Sequence, residues 1–152
     1  MNVRRLTTED APLLVEATSA ETGHALWDRT PVGPYSLADA RTALGKWEKD
    51  TSFGVFENGR LVAAVGLMPD APGSAEMAYW VRPESRGRGL AVAALRHLTD
   101  WAHVNGYTHL WLEIRPDNQA SQRVAERAGY TYTQRIPNHC EDHDCLIWEH
   151  HI

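Results

Sequence analysis

Arg86, Gly87, Arg88 and Gly89 place two cations and two positions without side chains directly before an apolar-periodic stretch that begins at Leu90. At a helix start the first backbone N–H groups have no intrahelical acceptor and share the positive end of the helix dipole, so an anion can settle there. Glycines let that anion approach the backbone, and arginines add charge at the rim. The chemistry implied is the grip of a phosphate, most simply a pyrophosphate. Two familiar designs do not match. A kinase-type loop needs Lys and then Ser or Thr after its last glycine, where Leu90 and Ala91 stand, and a dinucleotide fingerprint needs Gly or Ala where Val92 stands.

The surrounding elements must position this stretch. "RRLTTEDAPLLVEATSA" predicts a strand over about Asn2 to Leu6, then a helix started at Thr7 or Thr8 with Leu13, Leu14 and Ala17 at helical spacing. "GHALWDRTPVGPYS" reads as an irregular loop, followed by a helix from about Ser36 to Asp50. "SFGVF" and "LVAAVGL" are apolar runs joined around Asn58-Gly59, the dipeptide of a tight hairpin. "MPDAPGS" reads as a second turn, and "EMAYWVR" as a third strand that Pro83 ends. From Leu90, the positions Ala91, Ala94, Leu95, Leu98 and Ala102 predict a helix stopped at Asn105-Gly106. "HLWLEIR" is a strand, and "DNQASQRVAERAG" a helix capped by Asp117 or Asn118, with Ala120, Val124 and Ala128 inward and Gly129 closing it. "YTYTQRI" and "CLIWEH" are two final strands. This order predicts an α/β sheet, antiparallel at first and parallel near the middle.

At 152 residues the chain has the size of one domain, spanning 1–152. No run reaches the ~20 apolar residues of a membrane span, and "MNVRRLTTED" lacks a signal-peptide core, so a soluble cytoplasmic location is expected. The formal charge of −5 argues against nucleic acid as partner and suits a cationic one. Cys140 and Cys145 read as reduced thiols. A Cys/His metal set with His139 and His143 has poor spacing, so no metal is expected. His97, His103 and His109 read as surface residues and His150 and His151 as tail residues.

"WVRPESRGRGLAVAAL" resembles the pyrophosphate loop of the GCN5-related N-acetyltransferases (GNAT family), and "HLWLEIRPDNQASQRVAERAGY" resembles that family's fifth strand and fourth helix. Together the resemblance covers roughly residues 76 to 132. It implies the GNAT fold: a mixed, mostly antiparallel sheet of about seven strands flanked by about four helices and splayed between strands 4 and 5. It further implies an acetyl-CoA-dependent N-acetyltransferase. The backbone of Arg86, Gly87, Arg88, Gly89, Leu90 and Ala91 would hold the pyrophosphate, with both arginines assisting. Trp80 and Val81 would hydrogen-bond the pantetheine arm, Asn118 would hold it from the other side, and a fourth-strand N–H would stabilise the oxyanion. Glu84 departs from the family pattern, which has Gln or Arg there.

Acetyl transfer to an amine needs the neutral amine, yet with a pKa of ~10.4 only about one molecule in a few thousand is neutral at pH 7. A base is therefore required. Glu113 matches the base of the ribosomal-protein alanine acetyltransferases and Glu76 that of histone-acetylating members; the alternative for each is an edge glutamate paired with an arginine. Ala125 stands where many members carry a tyrosine acid, and Ser121 is the candidate partner for the departing thiolate. Trp27, Tyr35 and His24 lie in the loop that borders the acceptor pocket in this fold, where they could stack on a substrate or anchor the loop. The resemblance leaves the acceptor open: a cationic small molecule such as a polyamine or a peptide-like antibiotic leads, which would make the enzyme an antibiotic-resistance factor, and protein N-terminal acetylation follows. A non-catalytic acyl-CoA sensor is the alternative outside enzymes. "YTYTQRIPNHCEDHDCLIW" could add strands across a homodimer.

Overall fold

The computed structural model describes residues 2–20, 34–140 and 143–152, leaving aside the side chains of 138–143. Strand β1 (Asn2–Arg5) leads through a 3-10 turn at Thr8–Asp10 into α1 (Ala11–Ala17). After α2 (Leu37–Lys49) come β2 (Thr51–Glu57), β3 (Arg60–Ala71) and β4 (Ser74–Val81), an antiparallel meander. A short turn at Pro83–Ser85 precedes α3 (Leu90–Val104), then β5 (His109–Ile114), α4 (Gln119–Arg127), β6 (Thr131–Cys140) and β7 (His143–His151). All seven strands form one sheet in the order β1-β2-β3-β4-β5-β7-β6, in which only β4 and β5 run parallel. α3 supplies the crossover that this parallel pair requires.

Local sequence accounts for the joints. Asn58 (φ 52°) and Gly59 (φ 76°) both take positive φ, which turns β2 into β3. Ser36 caps α2: its hydroxyl accepts from the Asp39 N–H at 3.0 Å, and the Asp39 carboxylate accepts from the Ser36 N–H at 3.3 Å. Asn118 caps α4 by accepting from the Ser121 N–H at 3.1 Å.

Alternation along the strands sends apolar residues to both faces. On one, Val65, Leu67, Met77, Leu110 and Leu112 pack with Leu95 and Leu98 of α3 and Ala125 of α4. On the other, Leu61, Ala64 and Trp80 pack with Leu14 of α1 and Leu44 and Trp47 of α2. Each fully buried leucine contributes about 1.5–3 kcal/mol.

Several boundaries differ from expectation. β3 continues through Met68–Ala71, so the second turn is confined to Pro72 and Gly73. Val124 packs against the core and Ala128 is buried, as expected, but Ala120 is exposed and the fully buried residue of α4 is Ala125; capping at Asn118 sets the helix phase. Cys145 is disulfide-bonded, not a reduced thiol. His103 and His109 are half-buried, and His150 and His151 are not tail residues but belong to β7. No helix among the described residues is long and apolar enough to cross a membrane.

Candidate active site

The β4–β5 ladder holds for three pairs only, Ser74 with His109, Ala75 with Leu110 and Glu76 with Trp111, and then the strands part. The Arg82 N–H donates to the Val62 carbonyl at 2.9 Å. In an antiparallel ladder such bonding alternates by residue, so the backbone groups of Trp80 and Ala78 face β3, whereas those of Val81 and Tyr79, beyond the last β4–β5 pair, face the gap. This corrects the expectation for Trp80: its amide belongs to the β3 ladder and its side chain to the core under α1 and α2. Val81 does face the gap, with its carbonyl accepting from Arg86 Nε at 2.9 Å. The N–H aimed into the centre of the opening is that of Tyr79.

The gap leads to the glycine-containing loop. Gly87 (φ 81°) and Gly89 (φ 77°) both adopt left-handed backbone. A Cβ at either would meet nothing within 4 Å, so conformation, not crowding, demands glycine here. The first intrahelical bond of α3 runs from the Ala93 N–H to the Gly89 carbonyl at 3.1 Å, which leaves the N–H groups of Leu90, Ala91 and Val92 without an intrahelical acceptor. The Arg86 N–H donates to the Pro83 carbonyl at 3.4 Å, so the anion-receptive run begins at Gly87. Both loop arginines are directed elsewhere than expected. Arg86 reaches back to Val81, and Arg88 forms a two-pronged pair with Glu57 of the β2–β3 hairpin at 2.9 and 2.7 Å.

The loop is anchored from below. Arg82 is only 2% exposed and binds both oxygens of Glu16 on α1, the Leu61 carbonyl at 3.3 Å and Glu84 at 2.7 Å. Arg82 first, and then Arg60, hold the Glu16 carboxyl down to about 2. Glu84, the departure from the family pattern, is thus one arm of the clamp on Arg82.

Both candidate bases lie on the face away from α3 and α4. Glu76 and Trp80 alternate with the buried Ala75 and Met77, and Trp111 and Glu113 alternate with the buried Leu110, Leu112 and Ile114. Glu113 sits beyond the last ladder pair, at the gap, half-buried, with Cys145 Sγ 4.0 Å from its Oε2. Glu76 lies within the closed part of the ladder, opposite Trp111. The Trp111 indole donates to Asp70 at 2.9 Å, so this face joins an aromatic ring to Asp70, Glu76 and Glu113.

On the other face, Tyr79 crosses the gap: its hydroxyl donates to the Ser121 carbonyl at 3.4 Å. Burial pushes that hydroxyl above its ordinary pKa, so it stays protonated at neutral pH. Ser121 is thereby brought to the gap, half-buried in the first turn of α4, while the Asn118 side chain is engaged in capping that turn. Tyr79 was not singled out by sequence. Its odd position in β4 places it on the α3–α4 side, but the contact depends on where α4 docks. Tyr35 is 3% exposed and packs in the core with α1 and α2, its N–H donating to Thr18 Oγ1 at 3.2 Å, so it does not line an open loop. His24 and Trp27 lie outside the described residues. A separate cleft, lined by Pro69, Asp70, Gly73, Asn105 and Tyr107, sits at the opposite end of β4 from the glycine-containing loop.

A family model described as an acetyltransferase (GNAT) domain matches residues 1–131. The streptothricin acetyltransferase of Streptomyces lavendulae is 30% identical over 96 residues, 55% of this chain and 51% of that protein, so the chain spans about half the length of that relative. The ribosomal protein bS18-alanine N-acetyltransferase of Escherichia coli K12 is 26% identical over 116 residues, 76% of this chain and 77% of that one. Among solved structures, a ribosomal-protein-alanine N-acetyltransferase from Brucella melitensis superposes with a TM-score of 0.82 at 19% identity, covering 100% of both chains.

Proposed function

Since the chain belongs to the GNAT acetyltransferase family, whose members use acetyl-CoA, we propose that it transfers acetyl to a primary amine on a cationic small molecule, of the polyamine or amine-bearing antibiotic class. The observation that carries the acceptor class is the face on which Trp111, Asp70 and Glu76, beside the closed part of the β4–β5 ladder, lead to Glu113 at its opening. Carboxylates beside an indole ring attract and seat an ammonium group. The S. lavendulae relative is named for acetylating streptothricin, which agrees with this class.

In this reading the amides from Gly87 to Ala91 hold the pyrophosphate and the acyl arm enters the gap. The Tyr79 N–H points at the position where the thioester carbonyl becomes an oxyanion. Glu113, at the gap, takes the proton from the ammonium, directly or through a water. The neutral amine attacks the thioester carbon, the tetrahedral oxyanion collapses, the C–S bond breaks, and the nitrogen sheds its second proton to water as it becomes an amide. The thiolate receives a proton from the Tyr79 hydroxyl or is stabilised by Ser121, and a CoA thiol with pKa near ~8.5 needs only modest help. Glu76, farther inside the ladder, serves to attract the cation.

Protein N-terminal acetylation is the second reading, favoured by the greater coverage of the E. coli relative. Thiol release from acetyl-CoA separates them, with polyamines, aminoglycosides and streptothricin-type amines set against peptides with free Ala or Ser N-termini. Turnover confined to the small cations supports the proposal. Turnover confined to the peptides overturns it, as does acetyl-CoA binding with no turnover across the panel, the behaviour of a sensor.

A further inference from the structure

Farther along the acceptor-side face, away from the gap, three side chains with metal-ligating atoms meet where β5 begins and β7 ends. The Ile152 N–H donates to the Thr108 carbonyl at 3.2 Å, which makes 108 and 152 a hydrogen-bonded pair. By alternation, His109 with His151 and Trp111 with Glu149 are the non-hydrogen-bonded pairs, where side chains stand closest. The two imidazoles stack with centroids 4.7 Å apart at 20°. His109 Nε2 lies 2.7 Å from Glu149 Oε1, and the donor atoms of His109, Glu149 and His151 all fall within 4.8 Å of one another. Behind the ring, His109 Nδ1 is 2.9 Å from Ser74 Oγ.

We propose that His109, Glu149 and His151 form a binding site for a divalent first-row transition cation, Zn²⁺ by preference, that staples β7 to β5. Two imidazole nitrogens and one carboxylate oxygen are a donor set that suits zinc. Donors bound at about 2.0–2.1 Å in a tetrahedral site stand roughly 3.3 Å apart, between the shortest and longest separations here, so small side-chain rotations suffice. His109 must bind through a deprotonated Nε2. Its ring proton then resides on Nδ1 and is donated to Ser74 Oγ, the outer partner that fixes tautomer and orientation. His151 is exposed, which leaves the fourth position to water. The site lies at the far end of β5 from the gap, so its occupancy is a matter of strand attachment, not of the acetyl-transfer chemistry.

The test uses the full chain without an affinity tag, stripped with a chelator and titrated at pH 7.5 with Zn²⁺ by calorimetry and with Co²⁺ by visible absorption. The expected result is one cation per chain at micromolar affinity or tighter, a Co²⁺ spectrum of four-coordinate intensity, and a higher melting temperature with Zn²⁺. Glu149→Gln and His151→Ala each weaken binding by about 10–100-fold or more, and Ser74→Ala by about tenfold. His151 is exposed, so its variant keeps the fold and the test stands even if changes at Glu149 disturb β7. Absence of binding at millimolar Zn²⁺ overturns the site, and so does binding that neither Glu149→Gln nor His151→Ala weakens, since that places the cation on other histidines.

Discussion

Replacing Glu16 by Gln probes the clamp beneath the glycine-containing loop. In the wild type the carboxyl is held from an ordinary 4.5 down to about 2, chiefly by Arg82. Fully counted, that difference is worth about 3.4 kcal/mol of folding stability. The Glu16 side chain is 41% exposed, however, and solvent screening reduces its share to about 1–2 kcal/mol. The larger consequence falls on Arg82, 2% exposed, which loses a two-pronged partner and keeps, among the described residues, Glu84 and the Leu61 carbonyl. Breaking a buried pair from one side costs about 3–5 kcal/mol, and these two remaining contacts bring the expectation to about 2–3 kcal/mol. For a chain of this size that is a fall in melting temperature of about 5–10 °C at pH 7. Because the folded pKa is depressed, the stabilisation is present above the unfolded value near 4.5 and is lost as pH falls toward 2. The gap between wild type and variant, followed by thermal unfolding, therefore closes between about pH 5 and pH 2. Arg60→Ala, at a residue 57% exposed, is the control and lowers the melting temperature far less than Glu16→Gln does. A Glu16→Gln melting temperature within about 1 °C of wild type at pH 7, or a difference that persists at pH 2, would refute the reasoning.

Three further outcomes are expected. Gly89→Ala, at φ 77°, costs about 1–2 kcal/mol and raises the KM for acetyl-CoA, while Gly89→Asn, which tolerates that backbone better, recovers part of both; equal effects would count against a conformational cause. Tyr79→Phe lowers kcat roughly tenfold or more with an unchanged circular dichroism spectrum, and an unchanged kcat removes Tyr79 from the chemistry. Glu57→Gln releases Arg88 toward the loop and tightens acetyl-CoA binding by about two- to fivefold at low ionic strength, an effect that added salt erases; titration calorimetry at two salt concentrations decides it.

Features legible in the sequence were those set by neighbours along the chain. Asn58-Gly59 demands positive φ whatever surrounds it, and the phase of Leu95, Leu98 and Ala102 buries one side of α3 regardless of what packs there. The glycine-containing loop and its place before a helix were readable for the same reason. What escaped reading was set by contacts across the fold. Arg88 looks like a phosphate-facing cation until the β2–β3 hairpin brings Glu57 to it, 31 residues away in sequence. Tyr35 sits in a loop-like stretch yet is drawn into the core by α1 and α2. Trp80 and Tyr79 exchange backbone roles because the ladder to β3 sets which amides face the gap. His109 and His151, 42 positions apart by their numbers, become neighbours only through the β5–β7 register.

A sheet that parts in its middle has four edges instead of two. Exposed strand edges invite other strands to add, and the outer ones of this sheet belong to β1 and β6. The inner pair is different in kind. A polypeptide entering there would carry side chains to both faces of the sheet, and one of those faces is filled by α3 and α4. A slender chain of amides with few substituents meets no such obstacle and can use the same main-chain donors and acceptors. The opening thus discriminates by what its occupant lacks, admitting a guest that forms strand-like hydrogen bonds while refusing the strands that would make the molecule aggregate.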